Sequence, residues 1–242
     1  MFKPLATFTV LAAAALAPAH ALSTGNLAFT AFNADEDGWS VVLLADVAAN
    51  TQIFFSDNTT TSATVIGAAE SSFSWDTGAA LLNAGTVVRF SAIDVATRAA
   101  SVGSLAVVGS GNLGLSASAE TVYAYLGSSV TTPTTMLTAV SKEANQNALT
   151  SVGLTAGVNA LKLTSSADFA GYTGARSGLA AHADYRTLVN TPANWSINVG
   201  GDGLAVLPDT TDFSISAMPE PESDALMLAG LAAIGLITRR RA

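Results

Sequence analysis

Residues 26–57 read NLAFTAFNADEDGWSVVLLADVAANTQIFFSD, and this stretch decides the fold. Its three runs, NLAFTAFN (26–33), GWSVVLLAD (38–46) and TQIFFSD (51–57), are short and rich in aromatic and β-branched residues, with Asp/Glu/Gly or Ala/Asn turns between them. They predict a strand meander. Working outward, SSFSW (71–75), GTVVRFSAI (85–93), SLAVVG (104–109), ETVYAYLG (120–127), TTMLTAVS (134–141), NALKL (159–163) and WSINV (195–199) carry the same signature. Many short runs, each followed by turn residues, predict an all-β sandwich or barrel. SGLAAHADYRTLVN (177–190) departs from the pattern: Leu179, Ala183 and Tyr185 to Val189 fall at roughly helical spacing, ending at Asn190-Thr191-Pro192. It predicts a short accessory helix packed on a sheet or capping its end.

The composition fits an exported β-protein. Half of the residues are hydrophobic and only 12% are charged, with 20 glycines, so the polar surface is built largely from Ser, Thr and Asn. Cysteine is absent, which leaves stability to the core and the sheet hydrogen bonds. Within residues 22–217, six Lys/Arg face fifteen Asp/Glu. That balance repels nucleic acid and anionic lipid, and argues against a function that tracks phosphates.

Both ends read as processing segments. At the N-terminus Lys3 precedes a mostly apolar run to Ala17, and Ala19-His20-Ala21 forms a small-x-small site. This predicts a signal peptide over 1–21, cleaved after Ala21. At the other end Ala225–Thr238 is apolar and is followed by Arg239, Arg240 and Arg241. Its fourteen residues make a helix of about 21 Å, against a hydrocarbon core of about 30 Å. Such a run is a marginal anchor whose arginines hold the C-terminus inside. The expected organisation is therefore 1–21 signal peptide, 22–217 a single β-domain and 218–242 a hydrophobic sorting tail.

Candidate chemistry in the body is sparse. Asn33, Asp35 and Asp37, followed by Gly38, match the first half of a calcium loop, but Leu44 stands where a bidentate Glu is needed. The favoured reading is an acidic hairpin turn whose glycine permits positive φ, with Ca²⁺ an occupant only if another loop supplies carboxylates. Gly109-Ser-Gly111-Asn-Leu-Gly114 is a literal GxGxxG, yet the sequence after it returns to strand-like alternation instead of opening a helix. His182 is the one imidazole of the body, and Asp184, two residues on, points to another face of a helix. With no GxSxG or HExxH, His182 is expected to be structural, and no catalytic residue is assigned. Trp39, Trp75 and Trp195 could form a sugar platform, although tryptophans in strand-like runs are more often core or sheet-edge residues.

The tail carries a resemblance. Pro219-Glu220-Pro221, a short spacer, the apolar run and the arginine cluster resemble the PEP-CTERM sorting signal of Gram-negative bacteria. The resemblance implies export, transient retention in the inner membrane with Arg239 to Arg241 cytoplasmic, and processing near Pro219-Glu220-Pro221 by an exosortase-type enzyme. More weakly, residues 25–58 together with NAGTVVRF, AETVYAYLG, NALTSVGLTAG and YTGARSGLAAHADYRTLVNTPANW resemble bacterial exported proteins with a lamin-tail-like, immunoglobulin-like β-sandwich. That resemblance implies a structural or adhesive surface module without catalytic residues or a required cofactor. The expectation is thus an exported interaction protein of the cell surface or extracellular matrix; the alternative is a protein that binds or modifies exopolysaccharide.

Overall fold

The computed structural model describes residues 21–109 and 111–216; Ala19 and the whole tail, with Pro219, Glu220, Pro221 and Arg239 to Arg241, lie outside the described residues. The strands are β1 (Leu27–Asn33), β2 (Gly38–Leu43), β3 (Gln52–Ser56), β4 (Thr60–Ser62), β5 (Val65–Ile66), β6 (Ser72–Asp76) and β7 (Val87–Ser91), then β8 (Ala99–Ala100), β9 (Ser104–Val107), β10 (Thr121–Ser129) and β11 (Thr132–Ser141). After helix α1 (Asn147–Thr150) come β12 (Leu161–Lys162), β13 (Phe169–Tyr172), helix α2 (Tyr185–Val189) and β14 (Trp195–Asn198). One sheet has the order β14-β13-β1-β2-β7-β8 and the other β12-β11-β10-β3-β6-β9; β4 and β5 form a small separate hairpin. The chain is mostly β, as expected.

The sheets meet across an aromatic interior. Trp39 of the first sheet lies 5.2 Å from Phe55 and 5.7 Å from Phe73 of the second, centroid to centroid, and Trp75 meets Phe90 edge-on at 5.2 Å. Strict alternation along β1 would send Phe29 and Phe32 to opposite faces. A bulge between Phe29 and Ala31 corrects this, so Phe29 pairs with Val41 and Phe32 with Trp39, and both rings join the core. Thr30 and Ser40 share a hydroxyl hydrogen bond of 2.7 Å at the bulge.

Each sheet is also covered on its outer side, which is why β1 and β2 are buried at every residue. The second sheet carries a further cluster, in which Phe54, Tyr123, Tyr125 and Met136 pack against Leu149, Val152 and Leu154 of the segment around α1. The first sheet is crossed by a strap, residues 203–216. Asn33 Nδ2 donates to the carbonyls of Gly203 and Val206, Asp212 Oδ1 accepts the Val87 N–H, and Phe213 N–H bonds Gly85 O at 2.8 Å. The last described contact is Ser216 N–H to Leu179 O at 2.8 Å.

The accessory helix is shorter than the sequence predicts. A 3₁₀ turn, His182–Asp184, leads into α2, and the run before Ala181 is irregular backbone. The helix stops at Asn190, before Pro192, where the sequence places its end. Tyr185 anchors it, donating its hydroxyl to Ser214 O and meeting Phe213 edge-on at 5.1 Å.

Candidate functional site

The residues singled out from sequence do not gather into one site. Trp39 and Trp75 are fully buried in the interior, and Trp195 is 7% exposed with its indole N–H on Val189 O, so the three form no platform. His182 Nε2 is 3.3 Å from Phe213 O, while Asp184 Oδ2 accepts the N–H of Ala181. In the 33–38 loop the positive φ falls on Asp37 (50°) and not on Gly38. Glycine is needed at 38 for another reason: a Cβ there would lie 2.6 Å from Phe90 O and closer still to Glu36 Oε2. The three candidate calcium ligands diverge, each tying the loop to backbone. Asn33 Oδ1 accepts from Asp35 and Glu36, Asp35 Oδ2 from Gly203 at 2.6 Å, and Asp37 Oδ1 from Leu115 at 2.5 Å. Ala21 is exposed, whereas Leu22 already packs into the core.

Asp37 nevertheless belongs to a larger acidic feature that its own loop does not reveal. In the second sheet Ser56 pairs with Tyr123 on one side and with Ser72 on the other, and Thr121 pairs with Ser141. The exit of β3, the entry of β6, the entry of β10 and the exit of β11 therefore lie side by side. Each carries a carboxylate just beyond it: Asp57, Glu70, Glu120 and Glu143. A cleft of about 470 Å³ opens among them. A second cavity of about 290 Å³ shares Asp57, Glu70, Ser116 and Glu120 with it and extends to Asp37.

The strand ends are held by hydroxyls and amides. Ser56 and Ser72 share a hydrogen bond of 3.2 Å, and Asn58 Nδ2 donates to Ser71 O at 2.9 Å. Asn58 Oδ1 accepts the Glu70 N–H at 2.7 Å, fixing where that residue leaves the strand. The GxGxxG stretch forms part of the wall. A Cβ on Gly111 would stand 2.8 Å from Glu70 Cα and run into its carbonyl, so glycine allows this close approach. No helix begins among the described residues of that motif, and no dinucleotide fold surrounds it.

The carboxylates are strained electrostatically. Burial pushes Glu120 up to about 7, with Asp57 and Glu70 adding repulsion, although its oxygens accept the N–H groups of Ser116 and Thr121. Burial likewise pushes Asp57 up to about 6, and Glu70 adds to it. Asp57 is 8% exposed and its Oδ1 has no hydrogen-bond partner. Burial also raises Asp37, more than the Leu115 N–H lowers it. No Lys or Arg lines either cavity. Lys142 stands behind the wall, fully buried, with Nζ on Ser116 O at 3.0 Å and 4.9 Å from the centre of the Phe32 ring. Its own burial lowers its pKa. Among the described residues no three acidic, His or Cys side chains converge as a metal-ligand group.

Among the described residues no helix is long and apolar enough to cross a membrane. Residues 219–241 match the PEP-CTERM protein-sorting motif. No curated protein and no solved structure matches the chain. The motif marks an exported protein targeted to an exosortase, sent by a membrane-anchored sorting step to the cell surface or extracellular space.

Proposed function

We propose that the mature protein is a surface or extracellular-matrix interaction module, freed of its signal peptide after Ala21 and processed near Pro219-Glu220-Pro221, that works by binding and not by catalysis. The observation that carries this reading is the sorting motif at 219–241, which follows directly on a strap knitted into the first sheet up to Ser216. Leu22 in the core and Ala21 outside it support the N-terminal cut. Arg239 to Arg241 set orientation, Ala225–Thr238 holds the chain in the bilayer, and Pro219-Glu220-Pro221 marks the processing site. Replacing Pro219, Glu220 and Pro221 by alanine leaves full-length protein in the inner membrane, whereas replacing the three arginines by glutamine releases unprocessed protein. Mass spectrometry of membrane and extracellular fractions separates these outcomes. Normal tail removal in both variants would defeat the reading.

A second reading is favoured by the acidic cleft: binding of carbohydrate in the exopolysaccharide outside the cell. Amides and hydroxyls of Thr59, Asn145, Asn147 and Ser151 surround the carboxylates, a lining suited to a hydroxylated ligand.

A further inference from the structure

The two cavities at the end of the second sheet share four residues and so form one trough, with Asp37 at one end and Glu143 at the other. Five carboxylates are strung along it and no cationic side chain lines it. Asp57, at the junction, is more than nine-tenths buried and lines both cavities, and its Oδ1 makes no hydrogen bond although Ser71 lies close by. A buried carboxylate oxygen left without a partner is costly, and its cost is relieved by a ligand that brings both a donor and positive charge.

The geometry narrows what that ligand is. A bare divalent cation needs several oxygen ligands converging on one point, and no three acidic side chains converge so among the described residues. Stacking is not on offer either, because Tyr123, the aromatic residue of the lining, is 2% exposed and its hydroxyl is bonded to Ala148 O. What remains is an extended row of acceptors interleaved with amides and hydroxyls. Such a row suits a linear molecule whose positive groups are spaced apart and whose intervening surface is rich in hydroxyls.

We propose that the trough binds an oligomer of amino sugars, with Asp57 and its neighbouring carboxylates each facing an ammonium group and the Asn, Thr and Ser side chains bonding ring hydroxyls. The proposal rests on the carbohydrate reading above and names its substrate class. The wall formed at Asn112 and Gly114 then closes one side of the bound chain.

The test is calorimetric titration of the purified full-length protein, in mild detergent, with a glucosamine tetramer at neutral pH, where Asp57 has given up its proton and the sugar amines keep part of their charge. Saturable binding that weakens with added salt is expected. Asp57→Asn should weaken it by about tenfold or more, and Glu70→Gln, at an exposed position, should weaken it less. Asp57 Oδ1 accepts no hydrogen bond, so the asparagine variant keeps its fold, checked by its melting temperature. Equal binding of the N-acetylated tetramer would overturn the proposal while leaving the carbohydrate reading intact. Failure of both tetramers to bind would remove the two together. A linear tetramine that binds as tightly as the sugar, or an Asp57→Asn protein that binds like the wild type, would also overturn it.

Discussion

Trp39 and Asp57 are both withdrawn from water, at 0% and 8% exposure, yet their surroundings differ in kind. Around Trp39 lie Phe55, Phe73 and Phe90, within 5.2 to 5.7 Å, and the bulge in β1 brings Phe32 onto the same face. Around Asp57 lie Glu70 and Glu120, whose charges oppose its own. Burial lowers the free energy of the first region through apolar contact and raises that of the second through lost hydration. The aromatic interior thus carries the stability that the acidic trough draws down, a division expected where a fold keeps a site ready for a ligand.

The comparison can be broken first at its stable side. Trp39→Ala should cost about 3–5 kcal/mol, because a large cavity opens between the sheets; urea denaturation followed by circular dichroism measures it. A loss below about 1 kcal/mol would mean that the interior is not where the stability lies.

The trough should respond in the opposite direction. Asp57→Asn is expected to stabilise the unliganded protein by about 1–2 kcal/mol at mildly alkaline pH, since it removes a buried charge that lacks a counter-ion. The same logic fixes the pH dependence. Glu120 and Asp57 hold their protons to about 7 and about 6 in the folded chain, against 4.5 and 3.8 ordinarily, so the folded state binds more protons than the unfolded state across this window. Stability is therefore highest near the ordinary values and falls as pH rises through about 6 to about 7. Melting should occur several degrees higher at about pH 5 than at about pH 8, with a smaller difference in the Asp57→Asn protein. A melting temperature that rises with pH over this range would contradict the trough's electrostatics.

The smallest effect belongs to a charge outside both regions. Arg176 and Asp209 approach to 3.4 Å, but the Asp209 side chain is 58% exposed. Asp209→Asn should change stability by no more than about 0.5 kcal/mol. A larger loss in urea titration would give the strap a stronger electrostatic lock than its exposure allows.

The aromatic region was legible in the sequence and the trough was not. Phe29, Trp39, Phe55 and Phe73 sit in runs whose composition announces strands, and those strands form close to the expected positions. β13 (Phe169–Tyr172) escapes such a reading because FAGY offers two small residues between its aromatics, and it is set by pairing with β1 and β14. Asp57 and Glu120 are far apart in sequence and become neighbours only because β3 pairs antiparallel with β10. A faint local signal did exist: Ser56-Asp57, Glu70-Ser71-Ser72, Glu120-Thr121 and Ser141-Lys142-Glu143 each set a carboxylate beside a hydroxyl at a strand boundary. Only the strand order shows that all four boundaries fall at the same end of the sheet. The calcium half-motif likewise contributed Asp37 to an acidic feature, but not as the ligand loop its spacing resembled.

The hydrogen bond from Ser216 to Leu179 sets the length of a leash. Only Ala217 and Met218 separate Ser216 from Pro219, so the start of the sorting motif, where processing is proposed, can stand no more than about 10 Å from the last anchored residue. An enzyme acting there must work in the shadow of the folded domain, with its reach limited by the surface around Leu179 and Ile215. Lengthening the leash with a glycine-serine spacer between Met218 and Pro219 should therefore speed tail removal, and fusing a bulky domain at the same point should slow it.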